Sequence, residues 1–523
     1  MADQTVHGAE DVTSTRPGRK GVSYWVLNRT VHRWCGLTAM AWLVMVAASG
    51  VILDHPEWRW AQQWTVTERF ASDHVFQDET LGTIIRKFQI NEANGQELIG
   101  GGPRGLWRTA DGGASWTDVA YAGSDGTPML YDLLPSRADS WGTIWLATDD
   151  GLWEVSGADG AARPVGLRGL SVTDMDWGAN AGEIVGIVDK TRIFRLSADD
   201  PDNVQWLEPG RVSIPGLPDE VSLARIMVDL HMRQGFTGGT PAVLINDFGG
   251  IAVIILALTG LLYWTFPRLW RNPDIKSKWT PEGRRKTVSW LFRFHGPVIG
   301  ILAIIPIVYL SVTGIFLDHA RAFLPSAVNM TTDAGLAPGP YRLRSLSGEM
   351  EALRTDPARP EHLTVLTRMG LIASEDGGVT WAFDETTPFA VNQRHNNPGF
   401  VHRGDMSFMG NHGGPVSLRS DRDGAWGSIP SRMMVQDAAP LGDDWVLKGS
   451  GGFMLWSPDS GDLTELDIAN PQLPGMPVKR FMTDVHSGLI FHDSFVWVND
   501  LAALIAIFMC ITGFTAWWRK KWI

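Results

Sequence analysis

A chain of 523 residues with a net charge of −12 and 2 cysteines is too long for one ordinary globular core, so two or more domains are expected. The acidic balance argues against nucleic acid as a partner. The two thiols, Cys35 and Cys510, have no metal-site spacing and both fall in apolar runs, so no disulfide framework is expected in the polar segments.

In chain order, residues 1–33 form a polar segment with five basic and three acidic side chains. An apolar run at 34–53 follows, then a long Gly- and Trp-rich segment at 54–247 and a second apolar run at 248–266. A basic loop at 267–296 leads to a third apolar run at 297–317. A second long segment at 318–500, a fourth run at 501–518 and a tail at 519–523 complete the chain. Each run is about 18–21 residues and uncharged, enough at about 1.5 Å per residue to cross about 30 Å of hydrocarbon. Four transmembrane helices are expected. A cleaved signal peptide is the competing reading of the first run, but its internal counterpart at 297–317 cannot be one. Residues 267–288 carry seven Lys/Arg against two Asp/Glu, and the tail holds Arg519-Lys520-Lys521. By the positive-inside rule both termini and this loop are cytoplasmic, and the two long acidic segments face outward.

The chain is also written twice. The first run opens at Val31-His32-Arg33-Trp34 and closes on Ser49-Gly50-Val51-Ile52-Leu53-Asp54-His55. The third opens at His295-Gly296-Pro297 and closes on Thr313-Gly314-Ile315-Phe316-Leu317-Asp318-His319. Val228-Asp229-Leu230-His231 precedes Asn246-Asp247 and the second run, as Thr483-Asp484-Val485-His486 precedes Asn499-Asp500 and the fourth. His32 and His295 thus fall at the cytoplasmic ends, and His55 and His319 about 23–24 residues later at the outer rim. His231 and His486 also fall on the outer side. A single histidine at a membrane is often an interfacial residue in contact with headgroups, but a matched set points to function. Because both halves run in the same direction, their histidines pair at equal depth. Imidazole on both axial positions is the usual ligation of low-spin b-type haem, and no Cys-x-x-Cys-His motif is present for covalent attachment.

The outward segments read as all-β. Arg108 to Trp116 and Ala373 to Trp381 resemble the Asp-box repeat, Ser/Thr-x-Asp-x-Gly-x-x-Trp, in which the Asp accepts backbone N–H bonds, Gly supplies positive φ and the Trp packs beneath. Related units follow at Ile144 to Trp153, Gly186 to Phe194 and Trp445 to Trp456. About three strand–turn–strand units per half suggest a β-propeller-like outer domain built from both large loops, with two separate β-domains as the other possibility. The acidic residues here lack a recognisable glycosidase setting and read as a solvated surface.

His32-Arg33-Trp34-Cys35-Gly36-Leu37 resembles the Leu-His-Arg-Trp-x-Gly-Leu opening of the PepSY-associated transmembrane helix family. Leu230-His231, Val485-His486 and the dipeptides Thr259-Gly260, Thr313-Gly314 and Thr512-Gly513 are similar to its other motifs. The resemblance covers the helices and their flanks. The third run departs from it, opening Phe294-His295-Gly296-Pro297, and Asp-box units stand where a PepSY module would. Members include inner-membrane reductases of ferric siderophores, so the resemblance implies one or two b-type haems and transmembrane electron transfer in a bacterial inner membrane. It carries over His32, His295, His231 and His486 as axial ligands; His55 and His319 lie outside the family pattern and are second choices or neighbours of the redox site. It implies a cytoplasmic or membrane electron donor (a reductase, reduced flavin or quinol) and an extracytoplasmic acceptor such as a ferric chelate. No Gly-x-Gly-x-x-Gly follows a strand, so no nucleotide domain is expected. The alternative is a non-enzymatic membrane scaffold or sensor whose outer domain binds a protein partner. Secondary transport is disfavoured, because the repeats are not inverted and the helix centres lack Asp or Glu.

Overall fold

The computed structural model describes residues 24–67, 84–232, 234–333, 335, 339–388, 399–410, 415–421, 424–431, 433–449, 451–471, 473 and 475–522. The orientation argument from residues 1–23 lies outside them. Seven helices position the histidines: α1 (Tyr24–Leu53), α2 (Leu223–His231), α3 (Gly239–Leu269), α4 (Pro281–Arg293), α5 (Ile304–Asp318), α6 (Val478–Ser487) and α7 (Val496–Trp522).

Helices α1, α3 and α7 are long and apolar enough to cross a membrane, and a fourth span exists if the bent pair ending in α5 counts as one. That third segment is where the structure departs from the hydropathy reading. The basic stretch after residue 280 is largely helical, as α4, and runs into a π-helix at Phe294–Gly300 before α5 begins. The pair is bent by 62°. Pro297 sits inside the π-helix, where its missing N–H and its ring disrupt the regular α ladder. Small apolar side chains hold the bundle centre: Ala252, Ala303, Ile307 and Ala506 are buried together, flanked by Leu43, Leu256 and Cys510. Such residues let helix backbones approach closely in lipid.

Among the described residues, the two long segments between the apolar runs form six four-stranded antiparallel sheets, spanning residues 87–118, 130–166, 172–207, 352–383, 399–429 and 435–466. Each is a simple meander, and the first strands touch in a closed circuit from the first sheet to the sixth and back. The contacts between sheets are specific. In three first strands the register shifts one residue before an aspartate, at Asp132, Asp174 and Asp437. Such a bulge re-aims a side chain, and here each carboxylate reaches the next sheet. Asp132 accepts the Met175 N–H at 3.2 Å, Asp174 the Leu353 N–H at 2.5 Å and Asp437 the Phe88 N–H at 2.7 Å. The buried Arg403 guanidinium stands 3.1 Å from both Asp132 and Asp437.

Both Asp-box turns cap hairpins. Asp111 accepts the Ser115 N–H at 2.9 Å and Asp376 the Thr380 N–H at 2.8 Å. The Ser115 and Thr380 hydroxyls and N–H groups hold these carboxyls down to about 2. The tryptophans differ. Trp381 is buried beneath its turn, whereas the half-buried Trp116 reaches the Ala469 carbonyl at 2.7 Å. The reason is position: the first box borders the sixth sheet, and the chain leaving that sheet's last strand, which ends at Leu466, supplies the acceptor.

Candidate functional site

The four preferred histidines come together as two pairs. His32, in α1, faces His295, in the π-helix, with ring centroids 6.4 Å apart and planes at 84°. His231, at the end of α2, faces His486, in α6, at 6.0 Å and 59°. Both members of the first pair lie at the helix ends remote from the sheets; the second pair lies on the sheet side. A metal–imidazole bond of about 2.0–2.1 Å on each side, with half of each ring's width, adds up to about 6 Å. Both separations therefore fit one metal ion between two rings.

Each ring is turned by a hydroxyl. His32 Nδ1 lies 2.7 Å from Thr512 Oγ1, His295 Nδ1 2.9 Å from Thr259 Oγ1 and His231 Nδ1 3.0 Å from Thr313 Oγ1. His486 Nδ1 lies 3.2 Å from Ser49 Oγ and 2.9 Å from the Val46 carbonyl. These hydroxyls have only one hydrogen, and each donates it one turn back along its own helix. Ser49 bonds Met45 O at 2.9 Å, Thr259 Ile255 O at 2.7 Å, Thr313 Tyr309 O at 2.7 Å and Thr512 Phe508 O at 2.9 Å. The oxygen can then only accept, so Nδ1 carries the ring hydrogen and Nε2 keeps a lone pair. In the neutral form each of the four imidazoles thus presents the same nitrogen, Nε2, as a potential ligand, the arrangement expected around a metal-bound histidine.

The residue after each hydroxyl is glycine, and it gives the ring room. A Cβ on Gly50 would sit 3.1 Å from His486 Cε1, and on Gly260, Gly314 and Gly513 3.4, 3.5 and 3.6 Å from His295, His231 and His32 Cε1. The Thr-Gly dipeptides visible in the sequence therefore have a local role, and Ser49-Gly50 is the fourth member, missed because its hydroxyl is serine. Every hydroxyl–imidazole bond joins the two sequence repeats: His32 and His295 take theirs from α7 and α3, His231 and His486 theirs from α5 and α1. Asn246 and Asn499 complete the frame, donating to the His231 and His486 carbonyls at 3.2 and 2.9 Å.

His55 and His319 are not brought to another imidazole. Each instead meets a carboxylate, Asp247 and Asp500 respectively. Among the described residues no group of three or more His, Cys, Asp or Glu gathers into a metal cage, which leaves the two imidazole pairs as the metal-compatible geometry.

Long apolar helices carrying paired imidazoles beneath a ring of β-sheets define a membrane protein with a large extramembrane β-domain. The chain belongs to the family described as PepSY-associated TM region, matched over residues 29–520. That match runs through both sheet-bearing segments, whereas the motif-level resemblance is confined to the helices. No curated protein matches the chain. Solved structures similar to it include an ancestral GH74 enzyme (9% identity, TM-score 0.32, 73% of this chain and 38% of the other). The GH74 xyloglucanase from Xanthomonas campestris is similar at 11% identity and TM-score 0.32, over 75% of this chain and 45% of the other. YCF48 bound to D1 peptide is similar at 12% identity and TM-score 0.28, over 71% and 92%. This chain thus spans less than half the length of either GH74 protein, and scores this low carry no argument about function.

Proposed function

We propose that this protein passes electrons across a bacterial inner membrane through two b-type haems, one between His32 and His295 and one between His231 and His486. The observation that carries the reading is the pair of facing imidazoles at 6.4 and 6.0 Å, all four anchored through Nδ1. When bound, each haem would supply a one-electron ferric/ferrous couple, and His32 with His295 or His231 with His486 would hold it. The protein's own groups fix the ring tautomer, raise the basicity of Nε2 through the Nδ1–H···O bonds, and leave glycine rather than a side chain against each ring.

The remote pair lies beside the basic stretch 267–288, which the charge rule places in the cytoplasm. Electrons would therefore enter from a cytoplasmic or membrane donor, such as a reductase, reduced flavin or quinol. They would leave on the sheet side to an acceptor such as a ferric chelate, since Fe²⁺ suits hard oxygen chelators less well than Fe³⁺. In this reading the bent third segment is a fourth span and both termini are cytoplasmic. The six sheets form one composite propeller, three blades from each repeat, standing over the outer histidine pair.

The test is a dithionite-reduced minus oxidised visible spectrum of the purified protein, from cells supplied with haem. A b-type spectrum is expected, halved in His32→Ala and again in His231→Ala. A colourless preparation sinks the electron-transfer reading and leaves the scaffold reading in its place.

A further inference from the structure

The third matched pair of histidines is unused by the electron path, yet the structure repeats its surroundings closely. His55, just after α1, has Nε2 3.0 Å from Asp247 Oδ2; His319, just after α5, has Nε2 2.7 Å from Asp500 Oδ2. Each aspartate follows the asparagine that holds the backbone of a sheet-side histidine. Each dyad is thus one residue from the frame of the outer pair. A further feature also occurs twice. The other oxygen, Oδ1, of both Asp247 and Asp500 is buried with no hydrogen-bond partner among the described residues. A buried carboxylate oxygen without a donor is costly, and both repeats carry that cost at the same place.

The neighbours are mostly acidic or aromatic. His55 Nδ1 lies 2.5 Å from Glu57 Oε1 and the ring stacks on Trp58 at 4.2 Å. Asp54 precedes it, near Tyr309 of α5. His319 has Asp318 before it, Trp497 at 4.8 Å and Phe323 at 6.2 Å. Burial pulls the His55 imidazole down, but the Glu57 and Asp247 carboxylates outweigh it and hold its pKa above the ordinary value. The His55 and His319 side chains are 17% and 22% exposed, so water can reach both dyads.

Resting on the haem reading, we propose that the His55–Asp247 and His319–Asp500 dyads are redox-linked proton acceptors of the outer pair, together taking up one proton per electron. Negative charge added at low dielectric raises the proton affinity of nearby carboxylates, and the unpaired Oδ1 atoms are the seats for that proton. It comes from the extracytoplasmic water as an electron reaches the ferric ion held by His231 and His486, so the local charge is unchanged. Both leave together. The electron reduces the ferric ion of an oxygen-donor chelate, an Fe–O bond breaks, and the proton forms an O–H bond on the freed chelator oxygen.

The experiment is a spectroelectrochemical titration of the full-length protein between about pH 6 and about pH 8, the range in which histidine-linked protons move. The visible spectrum first shows whether haem is bound. Its absence refutes the electron-transfer reading, and this proposal with it. His486→Ala, keeping only the inner centre, assigns the two couples. With one proton per electron, a tenfold change in proton activity shifts the outer potential by about 59 mV. In the double variant Asp247→Asn/Asp500→Asn that slope should flatten, with haem content and the inner couple unchanged. If that variant loses haem, the single variants Asp247→Asn and Asp500→Asn, each expected to lower the slope, decide in its place. A wild-type outer potential that ignores pH, or a slope untouched in the deciding variant, overturns the proposal.

Discussion

A neutral imidazole can offer either nitrogen to a metal, and in this protein a hydroxyl whose hydrogen is already committed decides which. Thr313→Val keeps the shape and removes the hydroxyl acceptor 3.0 Å from His231 Nδ1, leaving that N–H only the Leu310 carbonyl. Loss of such a partner typically weakens metal binding by about 10–100-fold. On the proposed two-haem reading, the variant should release the outer haem that much more readily to a haem-scavenging protein, with the inner haem unaffected, and Thr313→Ser should restore it. Thr512→Val should do the same to the inner haem alone. Equal losses from both sites would point to general destabilisation instead. The histidines were legible in the sequence because the repeat displays them at matched places. Their partners were not, since Thr512 and His32 are joined only by folding. Ser49 was hidden further, because its residue type breaks the Thr-Gly pattern while its chemistry keeps it. The third matched pair shows the limit of counting: repetition marked His55 and His319 as important, but only geometry separated an imidazole facing an imidazole from one facing a carboxylate.

At the scale of elements, the short helix α2 transmits the position of the outer domain to His231. Asp229, two residues before that histidine and buried, accepts from Arg225 Nε at 2.8 Å and from the Tyr341 hydroxyl at 2.8 Å. Arg368, in the fourth sheet and 2% exposed, lies 3.9 Å from Asp229 and bonds Glu349 at 2.7 and 2.8 Å. It also reaches Gln234, just beyond α2. A sheet from the second repeat thereby grips a helix from the first, while α6, bearing His486, packs on α1. Removing one partner of a buried ion pair costs about 3–5 kcal/mol, because the other charge stays buried. Arg368→Met should lower the denaturation midpoint of the sheet domain accordingly and, on the proposed two-haem reading, alter the potential or spectrum of the outer haem while leaving the inner one as it was. An unchanged outer haem in a folded variant would falsify the grip. Their pairing was not legible beforehand: Asp229 stands in the repeated Val228-Asp229-Leu230-His231 segment, but Arg368 is far from it in the chain and stands in no motif. Hydropathy likewise placed the third apolar run but not its break, since an average over the run is blind to the backbone consequence of Pro297.

On the scale of the whole molecule, the repeat units suggested about three strand–turn–strand elements per half, and three sheets lie in each outer segment. The fifth sheet, spanning 399–429, carries no Asp-box and went unread. What the sequence conceals is how the halves close on each other. The ring is sealed at two seams, where Asp437 accepts from Phe88 and Asp174 from Leu353. Apolar cores cross both: Phe88 and Trp107 pack with Val446 and Phe453, and Val185 and Ile193 with Leu353 and Leu363. Either half alone would expose first-strand faces as unprotected apolar edges and would leave every imidazole without its hydroxyl. The linker between halves, by contrast, crosses neither seam. Residues 1–278 and 279–523 expressed together as two chains should therefore copurify in detergent with the haem content of the intact protein, and either alone should be haem-free. Separation of the coexpressed halves, or a b-type spectrum from one of them, would show that each repeat is a unit in itself. The interlocked ring argues the opposite: the repeats share one core among the sheets and one set of hydroxyl–imidazole bonds among the helices.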